Sequence, residues 1–142
     1  MIEYLTLLLR IAGIGLILLA LVHVPIGRRL GWKEQGALLS AENEAVFHVH
    51  TFFICLMLVM MGLPAFLVPE LFLEKSGMAR WMSWSFCAFW AIRLYFQWFV
   101  YKRHLWCGKR METGIHYIFT GLWLGLATVF GLCGAVQNGW LP

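Results

Sequence analysis

The residues able to do chemistry in this sequence are five histidines, one arginine in the middle of an apolar run, and a few amides, phenols and carboxylates. Arg93 lies within the aromatic stretch Trp90 to Tyr101. Arg93, Gln97, Tyr101 and His104 recur at i, i+4, i+8 and i+11, which puts them on one helical stripe. A guanidinium in hydrocarbon costs several kcal/mol unless it faces protein or water, so the stripe is expected to face inward. The histidines are His23, His48, His50, His104 and His116. Glu44, His48, Thr51 and Cys55 fall within about 60° of one another on a helix, whereas His50 lies about 200° from His48 and shares its side with Asn43. Thr113, His116 and Thr120 make a further polar stripe.

Brought together, these side chains would line a polar core of His23, Glu44, His48, Arg93, Gln97, Tyr101, His104 and His116. Neutral imidazole is the commonest protein metal ligand. Two imidazoles from different helices at one depth are what six-coordinate haem b requires, with Arg93 or nearby loop cations on its propionates. His23, His48 and His116 with Glu44, or with Glu112, would instead suit iron, copper or zinc. A buried cation with an amide and a phenol beside it (Arg93, Gln97, Tyr101) would hold an anionic or carbonyl-bearing ligand such as a quinone, an acyl carboxylate or a thiol peptide. Against these stand structural roles. Interfacial histidines bond headgroups and backbone carbonyls, and Arg93 could pair with Glu44 simply to fix a bundle.

The elements that must position these groups are membrane helices. The chain has 142 residues, 61% hydrophobic and 13% charged, without a single Asp, and a mean hydropathy of +0.75. Soluble domains are nearer half apolar and a quarter charged. Four apolar runs are expected to cross a bilayer, at residues 5–26, 43–68, 79–101 and 113–136. Short connections make an antiparallel four-helix transmembrane bundle the expected fold, as a single domain over residues 1–142. No period-2 alternation supports a β-barrel. Ser40 or Asn43 is a plausible cap for the second helix, with Pro64 and Pro69 bending and ending it. Met1-Ile2-Glu3-Tyr4 lacks the basic region of a secretory leader, so the first run is expected to be retained.

The net charge of +4 clusters beside apolar runs, a pattern of membrane orientation and not of nucleic-acid binding. Arg28, Arg29, Lys33, Lys102, Arg103, Lys109 and Arg110 belong to the first and third loops, against Lys75 and Arg80 opposite. The positive-inside rule therefore places residues 27–41 and 102–112 in the cytoplasm and both termini outside. In that arrangement His23, His48 and His116 lie roughly 4 to 8 Å inside the cytoplasmic boundary and Arg93 about 12 Å. Localisation would be integral to a membrane, the inner one in a bacterium. Gly121 and Gly125 form a GxxxG expected to contact another helix of the bundle, or a second copy or partner subunit.

Arg93-Leu94-Tyr95-Phe96-Gln97, followed by a basic loop and a last span, resembles the third helix of the MAPEG family of four-helix membrane enzymes that handle glutathione and lipids. The resemblance implies an enzyme acting on a lipidic or thiol substrate through Arg93 and Tyr101. It is confined to that stretch: the family's second-helix pattern, Asn followed three residues later by Glu, is not met at Asn43, which is followed by Val46. Other chemistries lack their motifs. There is no P-loop, dinucleotide fingerprint, HExxH or GxSxG, and the four Cys form no CxxC pair. Cys55, Cys87 and Cys133 are expected in apolar packing, with Cys107 in a basic loop. The expected function is thus a small membrane protein binding haem b or a quinone-like ligand in its cytoplasmic half, as an electron-transfer or anchor subunit. The alternatives are a MAPEG-like enzyme and a cofactor-free structural subunit.

Overall fold

Long apolar runs bounded by charge and by small residues have one satisfactory backbone in lipid, the α-helix, which pairs every interior N–H with a carbonyl of its own segment. The computed structural model describes residues 1–141, apart from the side chain of Leu105. It is 84% helical, and no strand occurs among the described residues. The helices are α1 (Ile2–Arg29), a short α2 (Trp32–Gly36), α3 (Ala41–Leu67), α4 (Gly77–Phe99) and α5 (Arg110–Gln137), with 3₁₀ turns at Pro69–Phe72 and Arg103–Leu105. The first connection therefore holds a helical turn that was expected as loop. Ser40 is the cap of α3: its hydroxyl accepts from the Asn43 amide at 3.4 Å. Pro64 lies within α3, which ends at Leu67 two residues before Pro69.

Of these, α1, α3 and α5 are long and apolar enough to cross a membrane, and α4 falls short of the same measure. The cause lies in its composition. Its 23 residues include Arg80, Arg93, Gln97 and several tryptophans, which dilute apolarity without shortening the helix. Apolar side chains face outward along the long helices, among them Leu18 on α1, Phe52 on α3 and Ile118 on α5, as a lipid-facing surface requires.

The contacts divide the chain into two units, Arg10–Pro69 and Met1–Leu9 with the chain from Glu70 onward. In the first, α1 and α3 cross at Gly13 and Gly62. A Cβ on Gly13 would meet the Gly62 carbonyl oxygen at 2.6 Å, so the two backbones approach as only glycine permits. In the second, α4 and α5 run antiparallel. Trp84 lies against Gly134, Trp90 stacks on Trp123 at 5.1 Å and 7°, and Gln97 meets His116. Phe72, Phe86 and Phe130 form an aromatic cluster with centroids 5.1 to 5.6 Å apart, and the Gln137 amide donates to the Phe72 carbonyl at 2.9 Å. Between helices in lipid the hydrophobic effect contributes little, so such ring packing and hydrogen bonds carry the association.

Gly121 and Gly125 are not where the helices meet. A Cβ on either meets nothing within 4 Å among the described residues, whereas Gly131 and Gly134 of the same helix lie against Cys87 and Trp84. The spacing of a GxxxG pair marks a smooth surface; the aromatic residues of α4 determine which surface is used.

Candidate functional site

The polar residues singled out by sequence lie in two groups, one in each unit. In the first unit, α1, α2 and α3 border an open groove of about 800 Å³ whose wall is mostly apolar. His23 lines it from α1, and His48, Thr51 and Cys55 line it from α3, the stripe expected from helical phase. Glu44 sits above His48, its Oε1 3.8 Å from His48 Nε2. His50 is exposed and bonds the Val46 carbonyl at 2.9 Å, on the other side of α3 as its phase requires.

The mouth of the groove is shaped by residues the sequence signals only weakly. Gly31, at φ +64°, turns the chain into α2. Trp32 then folds back on Gly27, where a Cβ would meet its ring at 2.9 Å. Rings follow in file, His23 to Trp32 at 6.3 Å, Trp32 to Phe47 at 5.9 Å and Phe47 to His48 at 5.4 Å. Arg28 and Lys33 add cations to the lining and Glu34 a carboxylate. His23 Nδ1 lies 2.7 Å from the Leu19 carbonyl oxygen. A carbonyl only accepts, so Nδ1 carries a proton and, in the neutral ring, Nε2 keeps its lone pair. That tautomer is the one a metal-binding imidazole uses, with its second nitrogen anchored on a backbone carbonyl.

The second group lies between α4 and α5. Arg93 Nη1 donates to Gln97 Oε1 at 3.3 Å, and the Trp123 indole N–H donates to the same oxygen at 3.4 Å. Gln97 Nε2 donates to His116 Nδ1 at 2.9 Å. The Arg93 guanidinium lies 4.8 Å from the Trp123 ring centre and 5.5 Å from that of Tyr101, cation–π contacts that stabilise a desolvated charge. Trp106 stacks on His116 at 4.1 Å and 6°, and the Thr113 hydroxyl donates to the Trp106 carbonyl at 2.6 Å.

Arg93, Gln97, Tyr101 and His116 are thus brought together, although the stripe does not continue as drawn from sequence. α4 stops at Phe99, where the Phe96 carbonyl accepts from both Val100 and Tyr101. Tyr101 and His104 are off the helical phase; Tyr101 still reaches Arg93, and His104 is exposed. Trp106 and Trp123 were the residues missed. Trp123 had a signal, falling i+7 from His116 on the Thr120 stripe; Trp106, in a loop, had none. Among the described residues no three His, Cys, Asp or Glu are grouped to hold a metal ion. No family model matches the chain, and neither a curated protein nor a solved structure matches it.

Proposed function

We propose that the protein is a four-span membrane subunit that binds haem b in the α1–α3 groove and passes electrons or anchors a partner that does. The observation that carries this reading is His23, on the groove wall, its Nδ1–H held by the Leu19 carbonyl and its Nε2 lone pair available. Porphyrin iron needs only axial ligands from the protein, so a pair of histidines suffices where a three-residue metal site would not. His23, and His48 once released from Glu44, would hold the iron. The apolar wall would take the macrocycle, and Arg28 and Lys33 would meet the propionates. A groove of about 800 Å³ lies within the size range of cofactor pockets.

Packing supports a fourth crossing. α4 lies antiparallel along α5 from Trp84–Gly134 to Gln97–His116, so when α5 crosses, α4 crosses with it, its charge held by Gln97 and two rings. Loops 27–41 and 102–112 then lie on the cytoplasmic side and both termini outside.

An absorption spectrum of the protein purified from haem-supplied cells tests the reading. The expected result is a Soret band that is lost in His23→Ala and shifted or weakened in His48→Ala. A colourless preparation, or a band indifferent to His23→Ala, overturns it.

A further inference from the structure

The donor and acceptor pattern between α4 and α5 assigns one more group than the network uses. Arg93 and the Trp123 indole have only donors, so the Gln97 atom facing both must be its carbonyl oxygen. The Gln97 NH₂ therefore faces His116 Nδ1, which must accept, and the neutral ring carries its proton on Nε2. This is the tautomer opposite to that of His23. His116 is 4% exposed, and its Nε2 is buried without a hydrogen-bond partner among the described residues. The indole N–H of Trp106, whose ring lies on the same imidazole, is likewise buried and has no partner among the described residues. A stranded buried donor costs about 1–3 kcal/mol.

We propose that His116 Nε2–H is the anchoring donor of a second binding site, for the carbonyl oxygen of an apolar ligand, with Trp106 as the side chain that moves to admit it and adds its indole N–H as a second donor. The open donors are both neutral, and Arg93 is already engaged by Gln97, Tyr101 and Trp123. A neutral carbonyl satisfies such donors without carrying a charge into the membrane. His116 lies six residues into α5, about 9 Å along the helix, near the level where hydrocarbon gives way to polar groups. Trp106 stands outside the long helices, its carbonyl held by the Thr113 hydroxyl, and its indole would turn about its own side-chain bonds to admit the ligand. Two sources supply the chemistry at that depth: the ester carbonyl of a membrane phospholipid and the ring carbonyl of a quinone.

Nitrogen-15 labelling of histidine, with the protein in nanodiscs, separates them. Three environments are compared: diester phosphatidylcholine, diether phosphatidylcholine, and the diether lipid with a decyl benzoquinone added. His116 is expected to be protonated on Nε2 in all three. Its Nε2–H proton resonance moves downfield in the diester lipid if the source is an ester, or on quinone addition if it is a quinone. Trp106→Phe, which keeps the stacked ring and removes the N–H, is expected to weaken the responding interaction about fivefold. A proton on Nδ1, or an Nε2 resonance alike in the three environments, overturns the site. A response unchanged in Trp106→Phe overturns the part given to Trp106. The signal is read equally well in His23→Ala, so the fate of the haem reading leaves it decidable.

Discussion

Gln97 occupies the position where three side chains of different chemistry are reconciled. Its oxygen accepts from a cation and an indole, and its amide donates to an imidazole. Leucine there would keep the volume and strand all three at a site with only 6% exposure. Gln97→Leu is therefore expected to lower stability by about 1–3 kcal/mol for each buried group left unpaired, read as the midpoint of SDS-driven unfolding. His104→Ala, at an exposed position of the same expected stripe, should change it by less than about 0.5 kcal/mol. Helical phase made the Arg93–Gln97 pair legible, because side chains four apart share a face. It made His116 legible as a polar residue on an apolar helix. It could not show that Trp123 donates to the same amide, since a tryptophan in an apolar run reads equally as packing. Nor could it give the tautomers. Those follow from which atoms face each other, and they separate His23, with an open lone pair, from His116, with an open proton.

Helix contacts follow from small residues and rings together, and the glycines show how far spacing alone misleads. Gly121 and Gly125 have the membrane packing spacing yet face nothing within 4 Å among the described residues; Gly13 and Gly62, far apart in sequence, touch backbone to backbone. Gly13→Ala is expected to force α1 from α3 and cost about 1–3 kcal/mol, the usual result of overfilling a close contact. Gly121→Ala and Gly125→Ala should leave the unfolding midpoint unchanged or raise it by up to about 1 kcal/mol through helix propensity. Cross-linking of the same variants adds a second reading. Should the glycine face seat another copy, the alanines would reduce dimer while leaving the monomer's midpoint intact. The helices themselves were legible because hydrocarbon permits little else. The end of α4 was not: no proline or glycine marks Phe99, and the stop comes from the Phe96 carbonyl taking two amides, a choice made in three dimensions. Trp32 is a similar case, placed by Gly27 and by the left-handed Gly31 and not by any periodicity.

At the scale of the molecule, the balance is between the low apolarity of α4 and its packing along α5. If α4 crosses, residues 27–40 and 102–109 lie on one side. All seven cations of those two connections and the first turn of α5 then face the cytoplasm. If α4 does not cross, residues 102–109 stay with residues 68–76 on the far side, carrying Lys102, Arg103 and Lys109 outward, and the carboxyl terminus moves in. The second arrangement opposes the charge rule and also requires α4 to leave α5, breaking the Trp90–Trp123 stack and the Gln97–His116 bond. Cys107 reports the difference without any engineered residue. It is exposed in the basic connection, whereas Cys55, Cys87 and Cys133 lie on long helices and are partly or fully buried. A membrane-impermeant maleimide added to intact cells is expected to leave Cys107 unmodified, and to modify it once the cells are permeabilised. Cys107→Ser should abolish the labelling gained on permeabilisation. Modification of Cys107 in intact cells would put that connection outside, and the four-span arrangement with a cytoplasmic basic end would fall with it. Labelling confined to permeabilised cells puts the 102–109 connection in the cytoplasm; with residues 27–40 placed on the same side by their own cations, α4 must then cross, carrying Arg93 into the membrane against Gln97 and two aromatic rings.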